Sequence, residues 1–438
     1  MSTFNRDSAD EFSRGARALI VYPELPGASA LTAESRLEEA EGLANAIGLN
    51  VLEKQHMRVR SPRAATLLGG GQVEAIAERV EGLEADLLIV DGALSAIQQR
   101  NLEEKVGIKV IDRTGLILEI FGERAATAEG RLQVELAHLD YQAGRLVRSW
   151  THLERQRGGF GFLGGPGETQ IEADRRMIRD RIARLRRELA QVQRTRGLHR
   201  ARRKRAPWPT IALVGYTNAG KSTLFNRLTR AEVLAEDMLF ATLDPTLREV
   251  PLPGIEKAIL SDTVGFVSDL PTQLVAAFRA TLEEVTSADI IVHVRDIAHP
   301  STEAQCDDVI SILRELGTGV GENGPQMIEL WNKIDLLNAE RRTELQNFAK
   351  KHNNVLLISA ETGEGAETFQ RYLAHRIASA NESRELRLDS GQGEALAWLH
   401  ARGRVESRES KDGSTRVSAS LSPQHWGQFD KLFGGSAA

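Results

Sequence analysis

Gly215-Tyr216-Thr217-Asn218-Ala219-Gly220-Lys221-Ser222 is the stretch on which the reading of this chain turns. Two glycines with four residues between them, followed by Lys and Ser, make the phosphate-loop pattern. Its flanks put that pattern in a meaningful place. Thr210–Val214 is a short apolar run behind Pro209, as a buried strand requires, and Leu224, Phe225 and Leu228 then recur at helical spacing. Strand, glycine loop and helix is the arrangement in which backbone N–H groups wrap phosphate oxygens. Gly215 and Gly220 leave room for the approach. Lys221 would supply a charge to the β and γ phosphates, and the Ser222 hydroxyl is a ligand for Mg²⁺.

The loop is shared by kinases, ATPases and GTPases, and three later segments choose between them. Asp262-Thr263-Val264-Gly265 follows the apolar strand Ala258–Leu260, where an Mg²⁺-side carboxylate and a γ-phosphate-sensing Gly belong. Asn332-Lys333-Ile334-Asp335 follows the strand Met327–Trp331. The Asp335 carboxylate can accept from both N1–H and the exocyclic amine of guanine, and adenine offers no such pair. A site built for such donors rejects the analogue lacking them by roughly 10⁴ to 10⁵. Ser359-Ala360, after Val355–Ile358, offers a backbone N–H to guanine O6. GTP is the expected nucleotide, and Asn332 to Asp335 argue against a P-loop kinase.

Elsewhere the 438 residues suggest two to four domains. With 41% hydrophobic and 27% charged residues the composition is that of an ordinary water-soluble protein. The single Cys306 excludes an internal disulfide and favours a reducing compartment. No apolar run reaches a membrane span, and Met1 to Arg17 has no apolar signal core, so a cytoplasmic protein is expected. Net charge is −5, yet Arg175 to Arg205 holds fourteen Arg and Lys against Asp180 and Glu188.

Four parts are expected: an N-terminal parallel α/β domain over 1–112, an antiparallel helical hairpin over 113–206, a doubly wound P-loop domain over 207–380, and a small α+β domain over 381–438. In the first, strands at Ala18–Tyr22, Val51–Met57, Asp86–Val90 and Lys109–Ile111 alternate with helices. There Leu67-Leu68-Gly69-Gly70-Gly71-Gln72 reads as a helix-opening turn or a phosphate turn without a Lys. Between the hairpin helices, Arg157 to Gln170 is rich in Gly and carries Phe160 and Phe162. Such a loop is either a solvated tip or a probe that orders on RNA. In the second reading the Gly158-Gly159 backbone approaches phosphate, the two Phe rings stack on bases, and Arg157, Arg175, Arg176 and Arg179 neutralise phosphate. In the last part, Asp412-Gly413 marks a hairpin turn between two strands.

The order of these parts, with Gly-Pro-Gly-Glu-Thr-Gln at 165–170, Phe240-Ala241-Thr242-Leu243-Asp244, and Asp-Thr-Val-Gly-Phe followed by Leu270-Pro271, resembles the HflX family. The resemblance spans about Ala16 to Ala380. It implies a monomeric, ribosome-associated GTPase that engages the large subunit near its peptidyl-transferase centre through the hairpin loop, and that splits or rescues stalled ribosomes under stress. Gly164 stands where the family usually has an Arg, and Gln72 where it more often has a Lys. A nucleotide-switched protein scaffold that never touches RNA is the rival reading.

The expected mechanism follows from P-loop chemistry. Thr242, in the first switch with Phe240, Ala241, Leu243 and Asp244, should reach Mg²⁺ and the γ phosphate. Asp262 should hold the metal through water, with Gly265 sensing the γ phosphate. Lys221, Thr242, Gly265 and Asn218 form the catalytic set. Phe266 stands where Ras-like GTPases place a water-orienting Gln, so slow unaided turnover is expected. Asn218 lies where GTPases with the same hydrophobic substitution coordinate K⁺. That ion, or the demands of loop geometry, would account for it.

Overall fold

The computed structural model describes residues 14–27, 31–156, 166–203, 208–231, 239–240, 242–243, 245–269, 284–318, 326–379, 382–389, 392–402, 404–411, 414–421 and 423–434. Its first layer is a four-stranded parallel sheet. Strands β1 (Arg17–Glu24), β2 (Asn50–Arg58), β3 (Leu87–Val90) and β4 (Lys109–Asp112) lie in the order β2-β1-β3-β4, with helices α1 (Ala33–Ala46), α2 (Gly70–Leu83) and α3 (Ala96–Val106) in the crossovers. Leu87–Val90 is buried throughout because helices cover both faces of the sheet.

The turn at Leu67–Gln72 opens helix α2. The Gln72 carbonyl accepts the Gly69 N–H at 3.0 Å while its amide donates to the Arg58 carbonyl, so this side chain caps α2.

Asp112 does not end the first unit. Helix α4 (Arg113–Arg124) buries Leu116, Ile117, Ile120 and Phe121 in the same core as Ile89 and Ile111 of the sheet. Residues 113–124, expected to belong to the helical hairpin, therefore form a separate short helix of the first unit. The hairpin proper is α5 (Ala128–Gln156) and α6 (Pro166–Arg203). Arg181 and Arg186 of α6 pair with Glu135 and Asp140 of α5, and Ile182 and Leu185 are buried. The nine connecting residues are too few for anything but an antiparallel return.

The central sheet has six strands, β5 (Thr210–Val214), β6 (Thr246–Leu252), β7 (Ile255–Asp262), β8 (Ile290–Asp296), β9 (Gln326–Asn332) and β10 (Val355–Leu357). Their order is β10-β9-β8-β5-β7-β6, parallel except for the β6–β7 hairpin at the edge. Helices α7 (Lys221–Thr229), α8 (Thr302–Glu315), α9 (Ala339–Ala349) and α10 (Ala366–Ser379) accompany it. β5 lies at the middle of the sheet, with its first crossover running one way and later ones the other. This is the switch point at which such sheets bind ligands.

The final unit, β11 (Glu382–Asp389), α11 (Gly393–Arg402), β12 (Arg404–Lys411), β13 (Ser414–Leu421) and α12 (Pro423–Phe433), is a three-stranded antiparallel sheet in the order β11-β13-β12. Trp426, Phe429 and Leu399 fill its core. Asp412-Gly413 lies outside the described residues. No helix among the described residues is long and apolar enough to cross a membrane.

Candidate nucleotide site

β5 ends at Val214 and the phosphate loop begins in conformations few residues adopt. Gly215 has φ 151°, and a Cβ there would meet the Val294 carbonyl oxygen at 2.2 Å. Gly220 has φ 91°, and its Cβ would sit 2.2 Å from Asn332 Nδ2. Both glycines are demanded by the fold as well as by the approach of phosphate. Asn218, at φ 59°, adopts the left-handed conformation that Asn tolerates, which is compatible with either account of the residue.

Lys221 is buried, its Nζ donating to the Tyr216 carbonyl at 2.7 Å and the Gly215 carbonyl at 3.1 Å. Burial lowers its pKa to about 8 against the attraction of Asp262. Beside it, Ser222 Oγ lies 2.7 Å from Asp262 Oδ2 and 2.9 Å from Thr242 Oγ1, and Thr242 Oγ1 donates to the same Asp262 oxygen at 3.1 Å. Three oxygens from the loop, the first switch and the end of β7 thus converge, although they span forty residues of sequence. Asp262 Oδ1, buried beside them, has no hydrogen-bond partner among the described residues. A hard-oxygen set with an orphaned carboxylate oxygen fits Mg²⁺, which Ser222, Thr242 and Asp262 would hold.

The base-reading segments meet on the other side of the loop. Asn332 donates from Nδ2 to the Ala219 carbonyl and accepts the Ala360 N–H at Oδ1, both at 2.8 Å. Of the Ser359-Ala360 pair expected to offer a backbone N–H to guanine O6, Ala360 is thereby engaged in joining the two segments and Ser359 N–H donates to the Glu364 carbonyl at 2.9 Å. Lys333, at φ 63°, pairs with Asp296 at 2.8 Å. Asp335 is exposed in the short 3₁₀ turn Ile334–Leu336.

Several residues assigned to the nucleotide face elsewhere. Thr263 Oγ1 donates to the Leu213 carbonyl at 2.6 Å, binding β7 to β5. Ala219, Leu243, Val264 and Ile334 are buried among apolar side chains. Phe240 turns its ring edge-on to Phe121 of α4, with centroids 4.8 Å apart. Backbone contacts alone remain open to these six. Ala241 and Asp244 lie outside the described residues, as do Arg157, Gly158, Gly159, Phe160 and Phe162. Arg176 and Arg179 are exposed on α6, whereas Arg175 is only partly so.

A second set of polar residues carries no sequence motif. The segment after Gly265 bridges back to the phosphate loop, Thr217 N–H donating to the Phe266 carbonyl at 2.7 Å and Phe266 N–H to the Gly215 carbonyl at 3.1 Å. Phe266 itself is buried in the core shared with the N-terminal layer. Two residues on, Ser268 is gripped by that layer. Its Oγ donates to Glu39 of α1 at 2.6 Å, and its carbonyl accepts from Arg113 at 3.0 Å. Arg113 also pairs with Asp91 at 2.5 Å and Glu39 at 2.7 Å, while Arg36 pairs with Asp91 and Asp269. Tyr216, inside the loop, donates its hydroxyl proton to Glu39 and accepts the Ser268 N–H.

Burial opposes the Glu39 charge, but Arg113 and the hydroxyls of Ser268 and Tyr216 outweigh it and hold the carboxyl below its ordinary pKa. Tyr216 is driven well above its ordinary value by burial and by Glu39. Sequence reasoning missed this set because Arg36, Glu39 and Arg113 look like surface charges on amphipathic helices. Only the docking of the two layers buries them.

Comparison with known proteins gives matches across the chain. Family models described as GTP-binding GTPase N-terminal, GTP-binding GTPase Middle Region, 50S ribosome-binding GTPase and HflX C-terminal domain match residues 34–122, 124–203, 210–333 and 344–438. The chain is 50% identical to the GTPase HflX of Magnetococcus marinus over 92% of its own length and 91% of that protein's. It is 41% identical to the GTPase HflX of Escherichia coli over 90% and 92%. Among solved structures, it is similar to a GTP-binding protein from Sulfolobus solfataricus in complex with GDP. That match has a TM-score of 0.44 and 24% identity, and covers 82% of this chain and 98% of that one. With models and relatives spanning nearly its whole length, the chain belongs to the HflX family of GTPases and hydrolyses GTP.

Proposed function

We propose that this GTPase binds the large ribosomal subunit and couples GTP binding and hydrolysis to the splitting or rescue of stalled ribosomes. The observation that carries the reading is the bond between Ser268 and the Glu39–Arg113 pair. Through it, the segment beginning at the γ-phosphate-sensing Gly265 is held directly by the layer from which the hairpin extends. A change at Gly265 is therefore felt by the unit carrying the arginine-rich helix α6. The family description of the 210–333 region as a 50S ribosome-binding GTPase supports the choice of partner.

In the mechanism, the loop N–H groups and Lys221 bind the β and γ phosphates. Mg²⁺ would neutralise charge on those phosphates. Ser222, Thr242 and Asp262 would hold it, and Gly265, beside Lys221, reads the γ phosphate. Asn332 and Asp335 select guanine. Phe266, turned into the core, offers no group to orient water, so turnover is slow until the ribosome acts. Asn218 would hold K⁺ against the phosphates. Loss of the γ phosphate frees Thr242 and Gly265, and both switches relax.

The test is GTP turnover with and without purified large subunits, in K⁺ and in Na⁺ buffer, with ATP as control. Stimulation that is specific to GTP and lost on deleting residues 158–167 is the expected result. Normal GTP binding without stimulation would favour the protein scaffold, and equal rates in the two salts would remove K⁺.

A further inference from the structure

We propose that Arg227 is a positioning residue for guanine recognition, fixing the loop that reads the O6 edge of the base. The proposal rests on the reading of Asn332–Asp335 and Ser359–Ala360 as the guanine site. Arg227 lies near the end of α7, the helix whose N-terminus faces the phosphates, and belongs to none of the motifs that define the nucleotide site. An arginine at a surface position normally samples many rotamers. This one is committed.

Its Nε donates to the Ala360 carbonyl at 2.6 Å, and its Nη2 donates to the Glu361 carbonyl. The planar fork of a guanidinium suits two successive peptide groups in a way that a lysine ammonium does not. On the far side lies Gly363 at φ 90°, where a Cβ would come within 2.5 Å of Arg227 Nη1. The loop thus wraps the guanidinium, with a glycine at the point of closest approach.

The consequence for the base follows from peptide geometry. The carbonyl of Ala360 and the N–H of Glu361 share one rigid plane and point in opposite directions. Holding the carbonyl therefore aims the N–H. Asn332 Oδ1 takes the N–H of Ala360, whereas that of Glu361 makes no hydrogen bond to any described residue. Arg227 and Asn332 thus grip consecutive peptide groups from α7 and β9, leaving the Glu361 N–H as the donor presented to O6. Because α7 starts at the phosphates, the same helix sets the distance between phosphate and base sites.

Removing Arg227 should loosen base reading and leave phosphate chemistry intact. Arg227→Ala and Arg227→Lys would be compared with wild type by displacement of a fluorescent GDP analogue with GDP and with ADP, and by steady-state GTP turnover. Gly363→Ala, which presses on the same guanidinium from the loop side, is an independent perturbation. Loss of two charge-assisted bonds should weaken GDP roughly 10-fold or more in Arg227→Ala and Gly363→Ala. ADP binding should be unchanged and kcat at saturating GTP should stay within about two-fold, since Arg227 touches no reacting atom. Arg227→Lys should recover part of the loss. Unchanged GDP affinity in both Arg227→Ala and Gly363→Ala would overturn the proposal, as would equal loss for GDP and ADP or a fall in saturated kcat. Wild-type protein that binds GDP and ADP alike would instead overturn the base reading on which it rests.

Discussion

His293, in the middle of β8, shows what a single buried residue implies. Its ring is buried and Nδ1 has no partner among the described residues. Burial, with Arg295 and Lys221 nearby, lowers its pKa to about 3 from the ordinary 6.5. The unfolded chain therefore binds a proton between pH 6.5 and about 3 that the folded protein does not, so stability falls as pH drops through that window. Replacing His293 with Gln should flatten the dependence. Melting temperatures of both proteins from pH 7.5 to 4 should show wild type losing more than the variant, and parallel curves would refute the assignment. At this scale the convergence of the motif side chains was legible. Gly215, Lys221, Ser222, Asp262 and Asn332 stand at the heart of the cleft because phosphate loops allow few alternatives. Thr263, Val264 and Phe240 turn their side chains into the fold, which leaves them backbone contacts alone, since a motif names positions and does not say which side chains turn inward.

Among elements, the contact that matters is α1 and α4 against the segment after β7. Arg113 is buried between Asp91, Glu39 and Ser268, with its charge held above the ordinary range against burial by Asp91 and Glu39. Deleting one member of such a set leaves the others buried and unpaired, a loss of about 3–5 kcal/mol. Arg113→Met should lower stability by that order in denaturant titration, whereas Arg113→Met combined with Glu39→Gln should lose less than the sum of the two single changes. Additive losses would show that the pair is not coupled. The same elements explain the misplaced boundary at Asp112. Leu116 and Ile120 have the spacing of any amphipathic helix, and periodicity cannot tell a hairpin arm from a helix lying on a sheet. Packing decides that, and α4 is in the core of the sheet.

Over the whole molecule, the N-terminal layer and the GTPase sheet share one hydrophobic core. Phe121 meets Phe240 across it and Leu239 reaches Gly42 of α1. Asp308 of α8 is caught at this junction. Burial and the charges of Asp269 and Glu39 raise its pKa to about 6, and its Oδ2 has no partner among the described residues. A carboxyl raised in the folded state is penalised while ionised, so the cost is full above pH 6 and vanishes as pH falls toward the unfolded value of 3.8. Asp308→Asn should therefore stabilise the protein at pH 7.5, and the gain should disappear by about pH 4. A melting-temperature difference independent of pH would contradict this. The sequence by itself determined the strand–loop–helix unit, the nucleotide, the parallel sheets and the arginine-rich helix, because local periodicity and short-range phosphate chemistry are written in neighbouring residues. Only the tertiary structure decided that Arg36, Glu39 and Arg113 close over Ser268 and that Arg227 holds the Ala360–Gly363 loop. Those contacts join residues more than a hundred positions apart, and their strength comes from burial that no single element has until the layers dock.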